Sequence, residues 1–280
     1  MSVRIIIDST ADMPKEKKAK CCVVPLTVHF GQEEYVDGVT IDHKTFYEKL
    51  VESDVLPSTS QATPAAFEDL FSQVTGVGDT AVVITLASQL SGTYQSAMIA
   101  AEEFPGKIFV VDSRTVAIGT GILAELALQL ASGDLSAGEI AAILTRERER
   151  VQVVALLDTL EYLKRGGRIS KTVAFAGGLL SIKPVVCVRD GKIEMLGKAR
   201  GSKQGNNLLA QEIHKTGGVD FDKPLLLGYT GLSDVLLTKY IEDSKALWKN
   251  GADHLRTTPI GSVIGTHAGP GAVAVAFFSK

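Results

Sequence analysis

Cysteine is scarce in this chain: there are three, Cys21, Cys22 and Cys187, and two of them are adjacent in a strand-like run. Neighbours on a strand point to opposite faces, so neither a disulfide framework nor a zinc site is expected, and small buried thiols in a reducing cytoplasm fit better. A positive surplus is missing too, since 29 Lys and Arg stand against 32 Asp and Glu for a net charge of −3. That balance offers no footprint to phosphate backbones, so nucleic acid is not an expected partner. No run reaches the roughly 18 uninterrupted apolar residues of a membrane span. The longest candidate, Val173 to Val188, is broken by Gly177, Gly178, Ser181, Lys183 and Pro184, so membrane contact would be peripheral at most. Met1 to Asp8 read as a strand ending in an acidic turn rather than a basic leader, and export is not expected.

What is present is enough apolar residue, 45% of 280, for a substantial core in one large or two ordinary domains. The first half alternates strand-like runs (Arg4–Ile7, Cys22–Phe30, Thr80–Leu86, Ile108–Asp112) with helical stretches, the pattern of a parallel sheet covered on both faces. Thr63-Pro64 opens one helix, another follows Ser91-Gly92-Thr93, and Ser136 with Glu139 three residues on forms a capping box. After Arg150 come strand-like runs at Gln152–Leu157, Pro184–Val188, Ile193–Lys198, Pro224–Tyr229 and Ala272–Phe278, with Asp190-Gly191 as a hairpin turn. The expected fold class is α/β in two domains, an N-terminal α/β/α domain with a parallel sheet (1–150) and a C-terminal domain with a mixed sheet (151–280). A ligand is expected in the crevice between them.

Three hydroxyl-rich segments carry the functional signal: Ser58-Thr59-Ser60-Gln61, Ser91-Gly92-Thr93-Tyr94-Gln95 and Thr266-His267-Ala268-Gly269-Pro270-Gly271. Read as turns at helix junctions, they present hydroxyls and free N–H groups where the helix dipole favours an anion. Converging, they would form a socket for one small anionic group. Neither GxxxxGK[ST] nor GxGxxG is present, so the Ser91 turn is not a nucleotide loop. His267, flanked by Gly265, Gly269 and Gly271, is the histidine singled out, while His29, His43, His214 and His254 are set aside as structural or exposed. Asp8-Ser9-Thr10-Ala11-Asp12 reads either as a site-lining loop or as the cap of a helix beginning at Met13-Pro14. Two basic stretches, Leu163 to Lys171 and Lys198 to Lys203, are either solvated loops or a positive rim.

These segments together resemble the DegV family, of the type that serves as fatty-acid-binding subunit of bacterial fatty acid kinase. The resemblance runs from end to end: Ile6 to Asp12, Val24 to Val28, Tyr35 to Gly38, Pro57 to Gln61, Leu90 to Ala97, Val111 to Ser113, Leu163 to Lys171, Lys183-Pro184 and His267 to Gly271. It implies a DegV-like fold whose two α/β domains enclose a long-chain fatty acid such as palmitate or oleate. It also implies carboxylate binding by Thr59, neighbouring Ser60, Ser91 and the Gly92 backbone, with His267 near the head group. Arg168 and Arg200 match arginines facing the kinase subunit. Two departures stand out: Ala62 replaces the Pro that commonly follows the Thr-Ser-Gln motif, and Ala268 replaces the Thr of His-Thr-Gly.

The expected function is therefore a cytoplasmic lipid-binding protein that presents a carboxylate to a separate ATP-dependent kinase for acyl-phosphate formation, without cofactor, metal or catalytic residue of its own. Two hydroxyls and one or two N–H groups can satisfy a carboxylate. At about 0.8 kcal/mol per buried CH₂, a sixteen-carbon tail would supply on the order of 10 kcal/mol before ordering costs. Ala174, Phe175, Leu179, Leu180 and Ile182 are candidate tunnel walls. Two rivals stay open: a serine hydrolase using Ser91, His267 and an acid such as Asp8, and a carrier phosphorylated on His267.

Overall fold

The computed structural model describes residues 2–170, 182–249, 251 and 255–280. Its first half runs β1 (Val3–Asp8), α1 (Lys15–Lys18), β2 (Cys22–Val24), β3 (Thr27–Phe30), β4 (Glu33–Val36), α2 (His43–Glu52), β5 (Ser58–Ser60), α3 (Pro64–Gly76), β6 (Thr80–Thr85), α4 (Thr93–Ala101), β7 (Ile108–Asp112), α5 (Ile118–Ala131) and α6 (Ala137–Glu147). The second runs β8 (Val151–Leu156), α7 (Glu161–Arg165), β9 (Ile182–Arg189), β10 (Lys192–Arg200), α8 (Gly201–Lys215), β11 (Leu226–Tyr229), α9 (Val235–Asp243), α10 (Lys245–Trp248), β12 (Thr257–Pro259), α11 (Ser262–Ala268) and β13 (Val273–Phe278).

The first sheet, in the order β2-β1-β6-β7, is parallel throughout. Its strands are almost continuously apolar because both faces are covered. Ile6, Ala81 and Val83 face α3 and α4 through Phe67, Phe71 and Ala97, while Ile5, Ile7, Val82 and Ile84 face α5 and α6. Thr63 caps α3 ahead of Pro64, and the Ser136–Glu139 capping box opens α6, both as expected.

The second sheet is mixed, in the order β10-β9-β8-β13-β11-β12, with only the edge strand β12 joined in parallel. Asp190 and Gly191 take positive φ (48° and 76°) and close the β9–β10 hairpin, as the Asp-Gly pair predicts. Leu209, Ile213, Tyr240 and Trp248 from α8, α9 and α10 cover one face.

The other face meets α5. Every residue from Ile118 to Ala127 is buried, and a helix without a polar stripe must be covered all round. It packs on β1 and β6 on one side and on β8, β11 and β13 on the other, so the two sheets share one core across this helix.

Three local readings are corrected. The run Cys22–Phe30 is two strands, because Pro25 has no N–H for a ladder and lies where the chain leaves the parallel sheet. β3 then joins β4 and β5 in a small antiparallel sheet. Ser58 to Ser60, expected as a turn, is the strand β5, with Thr59 opposite Val28. His267, expected in a Gly-rich turn, stands in the last turn of α11, at the negative end of its dipole, so that helix offers no positive terminus to an anion there. Among the described residues no helix is long and apolar enough to cross a membrane.

Candidate functional site

A cavity of about 370 Å³, toward the lower end of the range of small-molecule sites, opens between α5 and the second sheet. One end gathers Thr59, Ser60, Gln61, Ser91, Gly92, Arg168 and His267. The three hydroxyl segments therefore converge, although β5, the start of α4 and the end of α11 deliver them rather than three turns.

The rest of the cavity is apolar, and the reason lies in strand alternation. Ala274, Ala155 and Val186 form one cross-strand row over β13, β8 and β9, and Val153 and Val188 lie two residues along on the same face. These small and β-branched side chains leave space where larger ones would pack against Val116 and Ile118 at the start of α5. Ile182 begins β9 and is not among the lining residues; Ala174, Phe175, Leu179 and Leu180 lie outside the described residues, as do Lys171 and His254.

At the polar end, Thr59 Oγ1 and His267 Nε2 are 3.0 Å apart. Burial, with the Arg168 charge adding to it, lowers the imidazole to about 4, so His267 is neutral at pH 7. His267 Nδ1 is buried, has no hydrogen-bond partner among the described residues and is packed against Gly166. A proton on Nδ1 would be an orphaned donor, whereas a proton on Nε2 donates to Thr59 and leaves only a lone pair at Nδ1. In that tautomer the Thr59 hydroxyl hydrogen is free for a ligand oxygen.

Ser91 precedes α4. Its Oγ accepts the Thr93 N–H at 3.3 Å and lies 2.9 Å from Thr93 Oγ1. With Thr93 donating in both contacts, the Ser91 hydroxyl hydrogen also stays available, beside the free N–H groups of the helix start. Gly92 is required for close approach: a Cβ there would collide with the Gln61 amide, which is itself held by a 3.0 Å bond from Nε2 to Ser96 Oγ. Gln61 is the site residue that the sequence reading quoted in its motif but gave no role, because only the packed backbone shows what it supports.

Ser60 lines the cavity, but its hydroxyl is 2.8 Å from His29 Nε2 on the exposed side of β5, where alternation turns it away from Thr59. Arg168 differs from the rim residue expected of it. It is half-buried in the cavity wall, with Nε donating to Leu90 O at 3.1 Å and Nη1 to Gly166 O at 2.7 Å. Arg200 is exposed at the end of β10, away from the cavity lining.

The Asp8 to Asp12 loop neither lines the cavity nor caps α1. Asp8 accepts from Thr10 at 2.5 and 2.9 Å and from Leu86 N at 2.7 Å, which ties the end of β1 to the loop after β6. Asp12 accepts from Gly261 N at 2.9 Å, and Asp37 accepts from Ser262 Oγ, so two buried carboxylates fix the start of the helix that ends in His267. Burial raises Asp12 to about 7 despite nearby Lys18.

A sequence model described as "Uncharacterised protein, DegV family" matches residues 2–280. A DegV domain-containing protein of Caldanaerobacter subterraneus subsp. tengcongensis is 34% identical over 99% of both chains. Among solved structures, a DegV family protein from Thermus thermophilus described by its fatty acid binding superimposes with a TM-score of 0.88, at 30% identity over all of both chains. A stearic acid-binding protein from Eubacterium ventriosum is similar at a TM-score of 0.84 and 27% identity, over 100% of this chain and 99% of that one. On sequence and fold alike, this chain belongs to the DegV family.

Proposed function

We propose that this protein binds one long-chain fatty acid, with the carboxylate at Thr59, Ser91 and the Gly92 backbone and the tail along the Ala274–Ala155–Val186 row. One observation carries the reading: a single cavity joins a long apolar wall to a mouth of two hydroxyls with free hydrogens. The fatty acid binding described for the Thermus and Eubacterium relatives supports it. Oxygen donors alone can hold a carboxylate, while Arg168 adds charge from the wall.

In the fuller reading the protein presents that carboxylate, in the cytoplasm, to a separate ATP-dependent kinase. A carboxylate oxygen attacks the terminal phosphorus of ATP, a new C–O–P linkage forms, and the bond from that phosphorus to the ADP oxygen breaks. This chain holds and orients the nucleophile, and the partner supplies the nucleotide. Exposed Arg200 is assigned to the partner-facing surface.

The hydrolase reading is disfavoured by specific geometry. His267 engages Thr59 rather than Ser91, its Nδ1 meets no carboxylate among the described residues, and both Asp8 oxygens are committed elsewhere. A phosphocarrier on His267 is disfavoured because Nε2 is taken by Thr59 and Nδ1 is buried against Gly166. Solvent extraction and mass spectrometry of the purified protein, with binding of added palmitate or oleate, tests the proposal. One acyl chain per protein is expected; no bound chain and no uptake would reject it.

A further inference from the structure

His43, half-buried at the start of α2, faces two backbone carbonyls from the second half of the chain. Its Nε2 is 2.9 Å from Gly231 O and its Nδ1 is 3.0 Å from Ile260 O. A carbonyl oxygen only accepts, so each contact needs a hydrogen on the ring. The imidazolium form makes both bonds. A neutral ring makes one and sets a lone pair against the other oxygen. Edge-on contacts with Tyr47 and Tyr229, at 4.7 and 5.9 Å between ring centres, fix the plane of the imidazole.

Both carbonyls belong to segments that shape the ligand cavity. Thr230, next to Gly231, lines the cavity and accepts the Gly271 N–H at 3.1 Å and the Ala272 N–H at 2.7 Å, just ahead of β13. Ile260 lines the same cavity and stands two residues before α11, the helix that brings His267 to Thr59. Tyr47, one turn further along α2, donates to the same Ile260 O at 3.3 Å and lies so close to Gly265 of α11 that a Cβ there would collide with its hydroxyl. Asp12 and Asp37 take the next two residues, Gly261 and Ser262, so the root of α11 is gripped at each residue from Ile260 to Ser262. Building on the fatty-acid reading, we propose that His43, as an imidazolium, is a positioning residue for the head-group site: it clasps the Thr230 wall and the root of α11 together and so keeps His267 in place at Thr59.

The charge on this ring sits among identifiable groups. Tyr47 faces it from its own helix, Asp42 and Lys44 flank it in sequence, and Tyr229 faces it from β11. Asp12 and Asp37 lie beyond Tyr47, and Asp234 lies beyond Tyr229. Loss of the ring proton releases one of the two carbonyls, so the clasp weakens as pH rises.

Nitrogen NMR of the full chain, isotope-labelled in its histidine rings, tests this without any ligand. Wild-type His43 should carry a hydrogen on both ring nitrogens; a ring with only one, at every pH where the protein stays folded, overturns the proposal. His43→Phe keeps a ring against Tyr47 and Tyr229 and leaves both carbonyls without a donor. It should shift the His267 Nε2–H signal and speed exchange of that hydrogen with water. Calorimetric titration of the same variant should show palmitate bound roughly tenfold more weakly, the scale of one lost donor to a buried oxygen. His43→Gln, whose amide donates without a charge, should recover part of both effects. Weaker palmitate binding with an unmoved His267 signal would make His43 a general brace and overturns the positioning role. The ratio of wild-type to His43→Gln affinity, in which the Asp12 contribution cancels, should fall as pH rises through the proton loss seen on His43 itself. A flat ratio also overturns it. Palmitate failing to bind wild type would reject the fatty-acid reading instead, and the His43 and His267 ring signals would still decide this one.

Discussion

Thr59 Oγ1 on β5 and His267 Nε2 on α11, 208 residues apart in sequence, meet at 3.0 Å and close one end of an apolar cavity. The bond leaves the Thr59 hydroxyl hydrogen for a ligand. Thr59→Val keeps the shape and removes that donor. It should weaken palmitate by about 1–3 kcal/mol, roughly 5- to 150-fold, and Ser91→Ala should do the same. Calorimetric titration checks both, and unchanged affinity in both variants contradicts the head-group assignment.

The tail wall gives an independent prediction. Ala155 and Ala274 are paired across β8 and β13 and face the cavity. Ala155→Phe places a ring into empty space rather than a packed core, so the fold should persist. Palmitate affinity should drop at least tenfold, and shorter chains should lose less, since each excluded CH₂ is worth about 0.8 kcal/mol. A uniform loss across chain lengths would place the tail elsewhere.

The two basic candidates separate. Arg168 braces the Leu90 carbonyl from the cavity wall, so Arg168→Ala should lower palmitate affinity several-fold. Arg200 is exposed, so Arg200→Ala should leave palmitate binding intact and slow kinase-dependent acyl-phosphate formation. Radiolabel transfer from ATP to lipid measures the second effect. Equal behaviour of the two variants contradicts the division.

Two buried groups bend the pH dependence of stability in opposite directions. His267 titrates near 4 when folded against 6.5 for the free side chain, so the unfolded chain binds the extra proton. Its contribution is complete above about 6.5 and is lost as pH falls toward 4. Asp12 is raised from 3.8 to about 7, so the folded state binds the extra proton, and its contribution is lost as pH rises across that interval. In denaturant titrations, His267→Gln should flatten the acid-side loss between about 6.5 and 4. Asp12→Asn, which keeps an oxygen for Gly261 N, should remove the decline between about 4 and 7. Unaltered pH profiles would show that neither environment is as described.

Much of this was legible in the residues. Cap spacing revealed α3 and α6, the Asp-Gly pair revealed the hairpin, and Ser58 to Gln61 pointed to a ligand because it carries more hydroxyls than one cap needs. The misread parts depend on distant partners. Ser58 to Ser60 has no apolar alternation and becomes a strand only because β3 offers an edge, while α11 is a short helix held at its start by Asp12 and Asp37. Nor does any local pattern mark Ala155 as cavity wall rather than core, since that depends on the Ala274 row and on α5 standing off it.

A crystal structure of the protein grown with palmitate tests the central claim most directly. Continuous density should run along Ala155 and Ala274 and end in a carboxylate within hydrogen-bonding distance of Thr59 Oγ1 and Ser91 Oγ. An empty cavity at saturating palmitate, or a carboxylate at the opposite end of it, would contradict the account.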